Sequence, residues 1–376
     1  MDCHRASYDA AGLALALLGV LGLSACAECR GEDEEAQPEE GAETEAAEEA
    51  DLADEPIEPL PEEAEFDEAK MKLGRRLFFD PILSGDGTVA CVTCHDLDKG
   101  GADGRKTSEG IRSQLGPINS PTVLNSALNV AQFWDGRAAD LVEQAKGPVA
   151  NALEMGATWE EVVARVENEP HYAERFDDIY DDGVTENNVA DAIAEYEKAL
   201  VTPAPFDDYL RGDKNAIDEE AKEGYALFKE VGCTTCHLGQ GVGGTSFQKM
   251  GLVNDYFEAR GGEITEADLG RYNVTKKEED KHKFKVPLLR NVEKTAPYFH
   301  DGSQETLAEA IRAMGHFQLG RDLTDEQVAK IQAFLESLTG EIPEYADLPE
   351  DQAIPDRSEQ FGEEDDSGED VAHPRH

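Results

Sequence analysis

The sequence predicts a mainly α fold in two similar domains, and three observations carry that expectation. A five-residue pattern occurs twice, as Cys91-Val92-Thr93-Cys94-His95 and Cys233-Thr234-Thr235-Cys236-His237, 142 positions apart. Around the two copies, apolar residues recur at helical spacing behind good capping residues. Strand-like alternation is short and scarce, and Gly-rich stretches such as Gly239 to Gly244 read as loops.

The elements follow in order. Thr158-Trp159-Glu160-Glu161 is a capping box ahead of Val162, Val163 and Val166. Behind Thr185, the residues Val189, Ile193, Tyr196 and Leu200 share one helical face. Ala221 to Val231 predicts a helix that leads into the second motif, with Leu227 and Phe228 turned inward. Thr324-Asp325-Glu326-Gln327 caps a last helix carrying Val328, Ile331, Leu335 and Leu338, expected to stop at Gly340. These elements lie between Phe66 and Gly340, roughly 270 residues, which suits two domains. The expected division is 66–205 and 206–340, with one motif in each.

Cys-x-x-Cys-His is the attachment pattern for c-type haem. The two thiols become thioethers to the porphyrin, and the His becomes an axial ligand of the iron. A zinc site would need two more soft ligands near each pair, and neither neighbourhood offers them. A redox dithiol would not need the His. The expected architecture is therefore two cytochrome c-like domains packed against each other, each with one covalent haem c. Of seven cysteines, Cys91, Cys94, Cys233 and Cys236 go to haem. Cys3 and Cys26 fall in a leader and Cys29 is left over, so no disulfide framework is expected.

The two ends read differently. Residues 1–25 hold an apolar run of signal-peptide length, closing on Leu23-Ser24-Ala25-Cys26, a lipobox-like sequence that would place a lipid on Cys26. Simple cleaved secretion is the alternative. Either route leads out of the cytoplasm, where haem c is attached, and the expected location is periplasmic. Residues 26–65 are dominated by Glu, Asp, Ala and Pro and read as a disordered acidic tether; 341–376 reads as an acidic tail. With a net charge of −48 the chain is no partner for nucleic acid. The charge would attract a basic electron carrier, or simply serve solubility.

What fills the sixth position of each iron decides between electron transfer and chemistry. The second domain offers Met314, His316 and Met250, and spacing alone leaves the choice open. After His95 the first offers no His until His171 and no Met until Met155, so its iron is expected to be open. Gln144 and Glu154 lie just beyond, and either could reach a peroxide there. Cleaving the O–O bond needs a group that moves a proton from one oxygen to the other.

Longer stretches carry a resemblance. Leu73-Gly74-Arg75-Arg76-Leu77-Phe78-Phe79-Asp80-Pro81, Asn119-Ser120-Pro121-Thr122-Val123-Leu124-Asn125, Gln132-Phe133-Trp134-Asp135-Gly136-Arg137-Ala138 and Thr295-Ala296-Pro297-Tyr298-Phe299-His300-Asp301-Gly302 resemble bacterial di-haem cytochrome c peroxidase over residues 66 to 340. The resemblance implies a peroxidatic N-terminal haem on His95 and an electron-accepting C-terminal haem on His237 and Met314. It implies that Glu154 is the catalytic carboxylate, Gln144 its partner and Trp134 an electron conduit between the haems. It implies a calcium ion held by Asn119, Thr295 and Pro297. Hydrogen peroxide would be the substrate, a c-type cytochrome or small copper protein the donor, and a homodimer is common among such enzymes.

One position departs from that pattern. The family places a removable His ligand in a Thr-Ser-x-Gly-His loop, and here the loop reads Thr107-Ser108-Glu109-Gly110-Ile111. Ile cannot ligate iron, which predicts a first haem that is open even when oxidised. Two rivals remain at this stage. One is a related di-haem enzyme that oxidises protein tryptophans during quinone-cofactor maturation; it also lacks that His but has Tyr where Met314 stands. The other is a non-catalytic di-haem electron carrier, which would close both irons.

Overall fold

The computed structural model describes residues 55–349 and 352–361. The leader, Cys26, Cys29 and most of both acidic segments lie outside the described residues. Among the described residues nine helices have six residues or more: α1 (Glu68–Phe79), α2 (Leu141–Ala150), α3 (Trp159–Asn168), α4 (Pro170–Ile179), α5 (Glu186–Ala199), α6 (Pro205–Leu210), α7 (Glu219–Val231), α8 (Leu307–Leu319) and α9 (Asp325–Glu336). A small antiparallel pair, β1 (Phe247–Lys249) and β2 (Lys283–Lys285), sets Gln248 opposite Phe284. Among the described residues no helix is long and apolar enough to cross a membrane.

Each half is built on one helix crossing. In the N-terminal half α1 crosses α5, and in the C-terminal half α7 crosses α9. Both crossings need a glycine. A Cβ on Gly74 would lie 1.7 Å from the Ala192 carbonyl oxygen, and one on Gly224 would lie 1.9 Å from that of Lys330. The stripe expected on α5 is the one buried: Val189, Tyr196 and Leu200 are sealed from solvent, with Ile193 beside them. The capping boxes at Thr158 and Thr324 form as expected. The last helix does not run to Gly340. It ends at Glu336 and Ser337 caps it, while Leu338 stays buried in the turn beyond.

The halves repeat a second device. Asn125 and Asn291 both adopt the left-handed conformation at φ 59°. Their side-chain amides both donate to the Thr202 hydroxyl oxygen, at 2.8 and 2.7 Å. Their carboxamide oxygens accept from the Thr202 and Gly340 amides, each at 3.0 Å. A hydroxyl oxygen has two lone pairs, so Thr202 serves both halves at once.

The flanks cross over. Residues 55–65, expected to belong to the tether, pack on the C-terminal half: Ile57 and Leu60 are buried in its core. The Leu60 amide donates to Asp207 at 2.8 Å, and the Glu55 carboxylate accepts from Tyr225 and from Lys229. Part of the expected acidic tail packs on the N-terminal half. Ala346 is sealed in that core, and the buried Arg357 guanidinium forks onto Asp80 at 3.1 and 2.9 Å. Composition hides both segments, because two apolar anchors among many carboxylates do not change the average of a window.

Candidate active site

The first Cys-x-x-Cys-His motif begins as a short helical turn, Cys91–Cys94, that stops at His95. The His95 Nδ1 lies 3.2 Å from the Gly101 carbonyl oxygen. A carbonyl only accepts, so Nδ1 carries the proton and Nε2 keeps its lone pair for a metal. His237 repeats the arrangement, with Nδ1 3.1 Å from the Val242 carbonyl. Burial holds both imidazoles neutral, pushing His95 down and His237 down to about 4. None of the four cysteines is in a disulfide, and burial raises the pKa of every one of them. Such surroundings suit an uncharged thioether. Donor atoms, tautomers and burial thus all fit covalent haem at both motifs.

On the first half, two short segments close on each other beside Cys94. One is the loop around Ile111; the other is the turn from Asn151 to Gly156 that follows α2. The Ile111 amide donates to the Glu154 carbonyl at 2.8 Å, and the Gln114 side chain donates to the Ala152 carbonyl at 3.1 Å. A Cβ on Gly110 would lie 2.1 Å from the Leu153 oxygen, and one on Gly156 only 2.3 Å from the Ile111 Cδ1. Ile111 is itself buried. Ile111 therefore packs into the turn that carries Glu154.

Glu154 is half-buried, and Asn151 Nδ2 donates to its Oε1 at 2.7 Å. Burial raises its pKa, opposed by the charge of Arg137 and by the Asn151 hydrogen bond. Its carboxylate is within electrostatic reach of Cys94. Gln144 is half-buried on α2, the helix that leads into the same turn. A polar pocket lined by Thr93, Asp103, Arg105, Glu109 and Arg112 lies beside this motif.

The second motif faces a different space. An apolar cavity of about 300 Å³ is lined by Cys233, Cys236, His237, Phe228, Leu288, Ile311, Met250 and Met314. His316 does not line it; its ring is exposed and its Nδ1 lies 2.7 Å from Asp322. The cavity thus keeps two of the three ligand candidates, Met314 and Met250. Its far wall brings in Trp134, Asn119, Thr295 and Pro297.

Trp134 is anchored at the join between the halves. Its Nε1 donates to the Asn119 carbonyl at 2.9 Å, and its own carbonyl accepts from the Lys285 amide at 2.8 Å. The Asn119 side chain donates to the Arg105 carbonyl at 2.9 Å, and its backbone amide to the His300 carbonyl at 2.8 Å. Among the described residues, Asp268, His300 and Asp301 form a cluster that could ligate a metal. Arg260 already compensates it, bonding Asp268 at 2.7 Å and Asp301 at 2.9 Å. Burial opposes ionisation of Asp268, but Arg260, the Thr265 amide and His300 outweigh it and hold the carboxyl well below the usual range. The cluster is a brace behind His300, whose ring stacks on Phe284 at 4.3 Å and meets Trp134 edge-on at 6.4 Å. Sequence reading found neither this brace nor Asn151. Asn151 heads an Asx turn, its Oδ1 accepting from the Leu153 amide at 3.0 Å, and an Asn at that place was the one local signal for the latter.

Comparison with known proteins agrees with this geometry. A family profile described as di-haem cytochrome c peroxidase matches residues 68–215. The cytochrome c peroxidase Ccp of Escherichia coli K12 is 50% identical over 293 residues, covering 77% of this chain and 62% of that protein. The chain thus spans less than two thirds of the length of that relative. The cytochrome c551 peroxidase of Nitrosomonas europaea is 49% identical over 297 residues, covering 77% of this chain and 86% of that one. The crystal structure of a MauG-like protein associated with microbial copper homeostasis superposes with a TM-score of 0.67 at 28% identity, covering 76% of this chain and 94% of that one. With its paired haem-attachment motifs, its two glycine-crossed halves and these relatives, the chain belongs to the di-haem cytochrome c peroxidase family.

Proposed function

We propose that this chain reduces hydrogen peroxide to water, taking two electrons and two protons per peroxide, with a small redox protein as donor. The enzyme is a cytochrome-c peroxidase. Haem c at each motif supplies peroxide binding and electron storage, and the chain's own residues do the rest. Glu154 holds and moves the proton between the peroxide oxygens, and Gln144 orients the peroxide. Trp134, which lines the cavity of the second motif, passes electrons to the first site. With His237, Met314 would hold the second haem, where a thioether would favour the reduced state. The observation that carries the reading is the partly desolvated Glu154 carboxyl beside the first motif, bonded by Asn151, with the backbone carbonyl of Glu154 held by the Ile111 amide.

With Ile111 in the packed turn, the first iron needs no ligand to leave before peroxide binds. Peroxide turnover with a reduced cytochrome c, started from all-ferric and from half-reduced enzyme, tests both points. Equal initial rates without a lag support the missing switch. A lag, or a purely low-spin first haem in the all-ferric enzyme, refutes it. No turnover from either state refutes the peroxidase reading and favours a carrier.

Three finer points complete the reading. Asn119, Thr295 and Pro297 offer oxygen donors, from one side chain and two backbone carbonyls, suited to a calcium ion between the halves. The enzyme works in the periplasm, held to a membrane by a lipid on Cys26. It can pair as a homodimer, and a c-type cytochrome or small copper protein delivers the electrons.

A further inference from the structure

Lys285 is a cation where an apolar cavity should not have one. It is 6% exposed, yet it lines the cavity of the second motif. Among the described lining residues it is the one Lys or Arg, and no Asp or Glu accompanies it. An ammonium has three N–H donors. One goes to Asn129 Oδ1 at 2.8 Å, and no carboxylate among the described residues pairs with it. Burial of a cation without a counter-charge is costly. Here that burial pushes the amine down to about 8. Neither β2 nor its pairing with β1 needs a lysine at this inward position.

Haem carries propionate carboxylates, and the apolar walls of this cavity offer them nothing else of opposite charge. We infer that Lys285 is the counter-ion of a propionate on the second haem, and that it sets that haem's reduction potential. The inference rests on the reading that this cavity holds haem c. A positive charge close to the macrocycle disfavours the ferric state, which carries one more positive charge than the ferrous, so the lysine raises the potential. Its placement adds a second consequence. The Lys285 amide donates to the Trp134 carbonyl, and its side chain reaches Asn129, both in the N-terminal half. The residue that tunes the electron-storing haem is thus bonded to the residue through which its electrons leave.

Spectroelectrochemical titration of the full-length holoenzyme tests this. Lys285→Met should lower the second haem's reduction equilibrium about tenfold, equivalent to ~59 mV for one electron, and leave the first haem's unchanged. Lys285→Gln replaces it if the methionine variant does not fold. Asn129→Ala, which removes the lysine's protein partner but keeps its charge, should leave the potential within about twofold. An unchanged potential in the Lys285 variants overturns the inference, as does an equal drop in Asn129→Ala, which would make the effect one of packing. A haem count below two per chain in the wild type would instead remove the reading beneath it.

Discussion

The amide of Ile111 and the carbonyl of Glu154 are joined by a 2.8 Å hydrogen bond. A residue that cannot bind iron therefore fixes the backbone of the proposed proton carrier. The Ile111 backbone braces the turn while its side chain packs against Gly156.

Glu154→Gln keeps the shape of the turn and its bond to Ile111 but cannot carry a proton. Turnover should fall at least ~100-fold, within the usual range for a lost acid–base group. Both haems should remain attached by pyridine haemochrome assay. Near-normal turnover would remove Glu154 from the reaction.

The acid limb of kcat/KM reports Glu154. Burial raises its pKa, so the carboxylate should be lost at a higher pH than that of an exposed glutamate. Activity then falls as pH drops through that value. The Asn151 hydrogen bond works the other way, since it favours the charged form. In Asn151→Ala the limb should move to still higher pH, and an unmoved limb would show that another group controls it.

Two thioethers face the second cavity, and one variant pair separates them. Met314→Ala should lower the second haem's potential and convert its spectrum to an open or water-bound form. Met250→Ala should do neither. The reverse result would make Met250 the ligand.

Arg357→Ala should destabilise the N-terminal half by ~3–5 kcal/mol, the cost of leaving a buried carboxylate without its cation. The stranded group is Asp80, fully buried, with only two neutral donors left to hold it, the Tyr172 hydroxyl and the Ile82 amide, each at 2.9 Å. Denaturant unfolding followed at each haem would show the loss at the first. Equal loss at both would mean that the halves unfold as one unit.

Much of the site was legible because its chemistry demands rare residues at fixed spacing. Cys-x-x-Cys-His cannot be mistaken for a packing pattern, and helices such as α3 and α5 announce themselves through Thr caps and apolar periodicity. What stayed hidden depends on contacts between distant parts of the chain. Lys285 sits in Lys283-Phe284-Lys285, which on paper is a solvated, alternating strand. Asp268 and Arg260 are ordinary surface residues until His300 comes to lie beside them. Spacing left Met314 and His316 both open and only the resemblance pointed to Met314; of the two, Met314 alone lines the cavity, because residues two apart on one helix point about 200° apart. Ile57 and Leu60 could not be distinguished from the acidic stretch around them without the surface they cover.

The crossed flanks set an order on synthesis. A chain made from its N-terminus produces Ile57 and Leu60 before any of the core that will receive them. The N-terminal half, though made first, lacks Ala346 and Arg357 until the last of the chain appears. All four haem-bearing cysteines are therefore made before either core can close around them. Attachment of both haems can take place on a chain that is still open, and each half is completed by residues from the opposite end.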